Sequence, residues 1–413
     1  MSLHADLLEQ GNDWCQFCFQ RKQNRHQLSK TEPTPIICYS SRLFGDESEI
    51  AVEPHQGVQI VYLNRLRFRG VKPLSRDIPV DGRELPEAAR KRLLLQGGNG
   101  SGKTTILETI SSLWRFWGEW IEIGDHKPPP RRHVKHFLAQ GAFAAMEIVA
   151  MSPKARPVWI GIGTTKEWDE LRNDHPEQPL AGLFTDHAYT GRLSGSGEWR
   201  IHLPATGGID LLEFRHQGLI GKNPLPNIVY FPSEDRTIQK DRQPRAELLD
   251  LIPYNWVARF NRKINLDSVL LTVKAREPKR FEQCLRFVNL ALAHRGKHIT
   301  GFGENGRLVV EGEAESGQPY KHAIEELSSG EKQMLLMLGF TAAFLRPGGI
   351  LLIDEPDLHI HISMVDQLLA SLEAIVQERQ GQLIVASHSE QVWNWFSREE
   401  EHIELGPWRK DQP

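Results

Sequence analysis

Between Gly97 and Thr105 the chain reads Gly97-Gly98-Asn99-Gly100-Ser101-Gly102-Lys103-Thr104-Thr105. This satisfies the spacing G-x-x-x-x-G-K-[ST], and an apolar run precedes it while a helical pattern follows. Glycines let the backbone curl so that successive N–H groups point inward at anionic oxygens. The helix that follows offers its positive end to the same anions. Lys103 would add a point charge at the β- and γ-phosphates of a nucleotide, and the Thr104 hydroxyl would be a ligand for Mg²⁺. A second constellation, Ile350-Leu-Leu-Ile-Asp354-Glu355-Pro356, ends an apolar run in two adjacent acids. Asp354 is placed to hold the metal through a water, and Glu355 to act as general base or to orient the attacking water.

Two further pieces lie on either side of those acids. Leu327-Ser328-Ser329-Gly330-Glu331-Lys332-Gln333 opens an apolar helix. The same residues fit an ordinary capping box, because Glu331 stands three positions after Ser328. A helix start carrying Ser328, Ser329 and the Gly330 N–H is also an anion site, here for a γ-phosphate. Such a site does not easily serve the phosphate of its own loop, so it implies a second subunit. Finally, Gln382-Leu-Ile-Val-Ala-Ser-His388 reads as a strand that delivers a histidine. Its imidazole is expected to contact the γ-phosphate and report its loss.

The elements that must position these residues follow from hydrophobic patterning. Strands are expected at 58–69, 92–96, 144–150, 157–163, 228–231, 349–353 and 382–386, and a helix over 103–120. Residues 164–226 are rich in Gly, Pro, Asp and Thr and predict loops with short strands. Short helices are expected over 246–296, and a hairpin arm over 306–311. From residue 324 onward helix and strand alternate, which argues for a parallel sheet with covering helices. The expected organisation is an N-terminal extension (1–55), an ATPase lobe (56–150), an inserted subdomain (151–300) and a second lobe (301–413).

Composition bounds the function classes. The chain has 413 residues, with 50 Lys and Arg against 53 Asp and Glu, a net charge of −3 that excludes a strongly basic nucleic-acid binder. A hydrophobic fraction of 39% supports a folded core rather than bulk disorder. The longest apolar stretch, 334–345, contains Gly339 and Thr341 and is short for a membrane-spanning helix. The N-terminal residues lack a signal-peptide pattern, and only four cysteines occur, so a reducing, cytoplasmic setting without a membrane is expected.

In this order the four pieces resemble an ATPase head of the ABC type. The resemblance makes Gly97–Thr104 the Walker A loop, Leu327–Gln333 the signature, Asp354 and Glu355 the Walker B acid and catalytic glutamate, and His388 the switch histidine. Asp357-Leu-His359-Ile-His361 follows where the D-loop lies, and Glu-Pro-x-x-His-x-His is similar to the RecF-like and OLD-like AAA-family ATPases of bacteria, many of which stand beside nucleases in phage-defence loci. The resemblance covers about 56–120 and 300–395, and Gln140 is its candidate Q-loop residue. It implies an α/β P-loop NTPase fold with an ABC-type head and an inserted subdomain, using ATP and Mg²⁺ and working as a head-to-head dimer or higher oligomer. Long heptads of the SMC type are absent from the sequence. Residues 389–413 leave no room for the TOPRIM domain of OLD nucleases, so any nuclease is expected to be a separately encoded partner.

The implied function is ATP hydrolysis coupled to such an effector, in phage defence or DNA maintenance, with nucleic acid as an open partner. The alternatives are an ATP-dependent scaffold or sensor that sequesters a toxin or nuclease with little turnover, and a transporter's nucleotide-binding subunit, against which the His-rich loop argues. Weaker signals remain. Cys15, Cys18, His26 and Cys38 suit either zinc or free thiols. Trp114, Trp117 and Trp120 at helical spacing suit a core or subunit contact, or base stacking. Arg131, Arg132, His133 and Lys135 form a basic linker or a phosphate contact, and Arg236 follows a strand toward the nucleotide.

Overall fold

Short apolar runs rich in Leu, Ile and Val alternate with helical patterns along much of this chain, and buried parallel strands have that signature. The computed structural model describes residues 61–71, 74, 77–79, 91–123, 143–150, 157–185, 198–202, 226–234, 256–261, 264–314, 316–396 and 401–406. The strands are β1 (Val61–Arg69), β2 (Asp77–Pro79), β3 (Arg92–Gly97), β4 (Phe143–Ala150), β5 (Val158–Thr164), β6 (Leu180–Thr185), β7 (Glu198–His202), β8 (Ile228–Phe231), β9 (Val257–Arg259), β10 (Lys297–Phe302), β11 (Leu308–Glu313), β12 (Pro319–Ala323), β13 (Ile350–Asp354), β14 (Gln382–Ser387) and β15 (His402–Leu405). The helices are α1 (Lys103–Ile123), α2 (Thr165–Asp174), α3 (Leu266–Arg276), α4 (Pro278–Ala293), α5 (Ser329–Phe344), α6 (Ile362–Glu378) and α7 (Glu390–Trp395).

The central sheet runs β15-β3-β14-β13-β8-β9, with every neighbouring pair parallel. All its strands therefore end at one edge, where ligands of open α/β sheets bind. Successive side chains point to opposite faces. Leu93, Leu95, Ile350, Leu352, Ile384 and Ala386 face a core shared with α1. Leu94, Leu351, Ile353, Leu383 and Val385 face a second core shared with α3, α4, α5 and α6. Helix α5 is buried on nearly every side, from Gly330 to Phe344 except at Lys332, as expected of the central helix of that layer.

A second six-stranded sheet, β2-β1-β4-β5-β6-β7, covers the outer side of α1. Leu66, Phe68, Met146 and Ile160 of this sheet join Ile106, Ile110, Leu113 and Trp117 in the first core. Helix α1 is thus enclosed between two sheets. The buried Gln382 side chain ties them, accepting from Leu63 N at 3.0 Å and donating to Leu63 O at 3.3 Å. Helix α2 packs Trp168 and Leu171 against Phe143, Trp159 and Phe184 on the far face. A small sheet, β10-β11-β12, leads into the start of α5.

The described residues of 151–300 contribute to both sheets. β5 pairs with β4, β8 pairs with β13, and α3 and α4 share the core of α5. Helix α2 lies where loops and short strands were predicted. It has only two buried apolar side chains, so its periodicity is weak, although Thr164-x-x-Glu167 caps its start. Residues 1–55 with Cys15, Cys18, His26 and Cys38, the basic stretch Arg131–Lys135, Gln140 and Arg236 lie outside the described residues, as does the Trp120 side chain. Among the described residues no helix is long and apolar enough to cross a membrane.

Trp114 and Trp117 of α1 belong to the core. Trp114 and Trp117 are each 1% exposed, and Trp114 meets Trp256 edge-on at 6.3 Å. A Cβ at Gly118 would lie 1.9 Å from Trp256 Cδ2. Glycine to alanine inside a helix ordinarily gains about 1 kcal/mol. Here the overlap should reverse the sign, and Gly118→Ala is expected to lose about 1–3 kcal/mol. Chemical denaturation would show this as a lower midpoint; a higher one would contradict the packing of Trp256 on α1.

Candidate functional site

The loop between β3 and α1 is held in shape by its glycines. Gly100 and Gly102 have φ of +78° and +99°, a region that side chains rarely enter. Ser101 N donates to Gly98 O at 3.3 Å, and Ile106 N donates to Gly102 O at 2.9 Å, where the helix begins. Helix α1 has no acidic residue in its own first turn; the negative charge facing its positive end comes from Asp354, which contacts Thr104. Gly98, Asn99 and Gly100 are exposed at the tip, while Ser101, Gly102 and Lys103 are buried. Lys103 Nζ donates to Gly97 O at 2.8 Å and Gly98 O at 3.0 Å. Burial pushes its ammonium below the ordinary lysine value, against the pull of the Glu355 and Asp354 carboxylates. Thr105 is half-buried, and its carbonyl accepts from Thr109 Oγ1 at 2.7 Å.

Asp354 ends β13 and is 1% exposed. Its Oδ2 accepts from Thr104 Oγ1 at 2.7 Å. The hydroxyl and the carboxylate predicted to share a metal are therefore already in contact, although 250 positions apart in sequence. They are hard oxygen donors, of the kind Mg²⁺ takes together with phosphate oxygens and water. The glycine-rich loop at the positive end of α1 and the Lys103 ammonium suit the phosphates of ATP, so the residues present fit both groups.

Glu355 has φ of +52° and donates its N–H to Ala386 O at 2.7 Å, so the chain turns sharply as it leaves the sheet. That turn brings its carboxylate to the end of β14, where His388 Nδ1 donates to Glu355 Oε1 at 2.8 Å. Ser387 supports the same corner: its hydroxyl donates to Asp357 Oδ1 at 3.3 Å and accepts from Ser389 N at 3.0 Å. Glycine loop, acid pair and histidine thus meet at one sheet edge.

Ser328, Ser329 and Gly330 open α5, which packs on the opposite face of the parallel sheet from α1. Ser328 caps the helix through Glu331 N at 3.4 Å, and Glu331 Oε2 accepts from Ser328 N at 2.9 Å. Both serines are exposed. Gly330 is packed beside Met364, with His361 N 3.8 Å from where a Cβ would stand, so this corner adjoins the end of the loop that begins at Glu355.

Several supporting residues escaped the sequence reading. Glu108, one turn below Thr104, accepts from Tyr230 Oη at 3.2 Å and from Arg259 at 2.6 Å. This braces α1 against β8 and β9, and burial followed by the Glu108 and Asp354 charges pushes the Tyr230 hydroxyl far above its ordinary value. Lys297 donates to Glu331 Oε1 at 2.9 Å beside the signature serine. None of these stands in a motif; only the fold brings them to the site.

Residues 235–392 match the family model described as "AAA domain, putative AbiEii toxin, Type IV TA system". No curated protein matches the sequence. Among solved structures, an SMC head bound to the C-winged helix domain of ScpA aligns at 15% identity and a TM-score of 0.40, covering 81% of this chain and 91% of that one. The SMC head domain from Thermotoga maritima aligns at 15% identity and 0.36, covering 81% and 92%. A dimeric bacterial ABC transporter cassette aligns at 15% identity and 0.33, covering 84% and 94%. The chain's own parallel sheet, with helices on both faces and the glycine loop leading from β3 into α1, has the strand–loop–helix arrangement of a P-loop in an α/β fold.

Proposed function

We propose that this P-loop head binds MgATP, pairs with a second copy of itself around the nucleotide, and hydrolyses it to drive a separately encoded effector. The observation that carries the reading is that α1, which follows the Gly97–Thr105 loop, and α5, which Ser328, Ser329 and Gly330 open, pack on opposite faces of one parallel sheet. Two chains facing each other can then lend Ser328, Ser329 and Gly330 to the partner's loop. The exposure of both serines supports the same arrangement.

In this reading the loop N–H groups and Lys103 grip the β- and γ-phosphates. Thr104 and Asp354 hold Mg²⁺, which when bound draws charge from the phosphate oxygens. Glu355 takes a proton from the attacking water as the water oxygen bonds to the γ-phosphorus and the bond to the β-phosphate oxygen breaks. His388 braces Glu355 through Nδ1 and turns its other ring nitrogen toward the γ-phosphate. Loss of that phosphate removes the bridge between the two chains, and the pair loosens.

A toxin-class effector is supported by the toxin and TA-system wording of the family matched over 235–392; a nuclease effector in phage defence or DNA maintenance follows from the resemblance of the Glu355–His361 loop to the RecF-like and OLD-like ATPases. The test is direct: measure mass in solution with ATP and with ADP, together with phosphate release. Pairing only with ATP, and turnover that disappears in Ser328→Ala, is the expected result. Pairing without turnover would leave the scaffold reading, and a monomer that hydrolyses ATP at the full rate would remove the shared site.

A further inference from the structure

The signature corner contains a charge that a triphosphate should repel. Glu331 stands in the first turn of α5, is 3% exposed, and reaches back to Ser328 N at 2.9 Å. A lone carboxylate buried beside the residue that must meet a γ-phosphate would oppose the nucleotide's approach. It is not alone: Lys297 Nζ donates to Glu331 Oε1 at 2.9 Å. Desolvation favours the neutral acid, but the bonds from Lys297 and Ser328 outweigh it and keep the Glu331 carboxyl below its ordinary range.

The lysine is delivered by rigid elements. Helix α4 ends and the chain turns at Gly296, with φ of +63°, directly before Lys297 opens β10. Asn289 of α4 clasps the same strand, accepting from Ile299 N at 2.7 Å and donating to Ile299 O at 3.0 Å. Strands β10 to β12 then return the chain to Leu327, so Lys297 and Ser328 lie at the two ends of one small sheet unit. Arg307 of this unit pairs with Glu325, just ahead of the signature.

Resting on the shared-site reading above, we infer that Lys297 is a positioning residue for the partner's ATP: by neutralising Glu331 it holds the signature serine of its own chain in a form that accepts the other chain's γ-phosphate. Its effect is therefore on the opposite nucleotide, not on the one held by its own loop.

Mixed heads test this. Lys297→Met removes the charge at similar length. Alone, it should bind ATP within about twofold of the parent protein but turn over at least ~10-fold more slowly at saturating ATP, a loss in kcat rather than KM. Lys103→Ala heads should be inactive because their own loop is broken, while their signature is intact. Mixing the two creates one site with a sound loop and a sound signature, so turnover should rise several-fold above either parent. Should Lys297→Met fail to fold, Lys297→Gln carries the same test, since it removes the charge and keeps a polar donor facing Glu331. The control mixes Ser328→Ala with Lys103→Ala. If that pair complements and the Lys297→Met or Lys297→Gln pair does not, the inference is overturned and the shared site survives. If neither complements, the shared site falls too.

Discussion

Glu355→Gln should leave a head that binds ATP and pairs but hydrolyses about 10²–10³-fold more slowly, the range expected on loss of a general base. The substitution is conservative in shape. Glutamine keeps an oxygen where His388 Nδ1 donates at 2.8 Å, and it fits the φ of +52° as well as glutamate does. What it loses is the capacity to take a proton from water. The paired form should then accumulate in ATP, seen as a lasting doubling of mass, while single-turnover phosphate release slows. Turnover at the parent rate would remove Glu355 from the chemistry and leave Asp354 as the acid to examine next.

Lys103→Ala should act earlier, at binding. Lys103 is 6% exposed, and its ammonium is held between the carbonyls of Gly97 and Gly98 at the mouth of the loop. A hydrogen bond to a charged group is worth about 1.5–3 kcal/mol, so losing the one that reaches the phosphates should weaken ATP roughly 10- to 100-fold. Calorimetric titration at fixed salt measures this. The fold should survive, because burial disfavours this charge and removing it relieves that cost. An unchanged thermal midpoint with lost binding is the expected pair of results; unchanged binding would place the nucleotide elsewhere.

Much of the site was legible in the sequence because its chemistry is local. A loop that curls this tightly needs glycine at positions such as Gly100 and Gly102, and the candidate anion ligands Lys103 and Thr104 follow directly. An acid pair at the end of Ile350–Asp354 stands out because the strand before it is buried on both faces and carries no other charge. The strand at 228–231 was equally plain as an apolar run, but its place beside β13, and with it the Tyr230–Glu108–Arg259 brace, depends on a sheet order that no pattern encodes. Gln382 looked like the polar start of a strand, yet its amide joins two sheets.

The sequence by itself singled out the groups proposed to do chemistry: the glycine loop, the acid pair, the signature serines and the terminal histidine, each recognisable because backbone conformation and nearest neighbours favour those residue types. Only the tertiary structure decided how they combine. Strands far apart in the chain lie side by side in the parallel sheet, which puts Thr104 against Asp354 and Glu355 against His388. The alternation of side chains across that sheet sends α1 to one face and α5 to the other, so the glycine loop and the signature serines lead into helices of different layers.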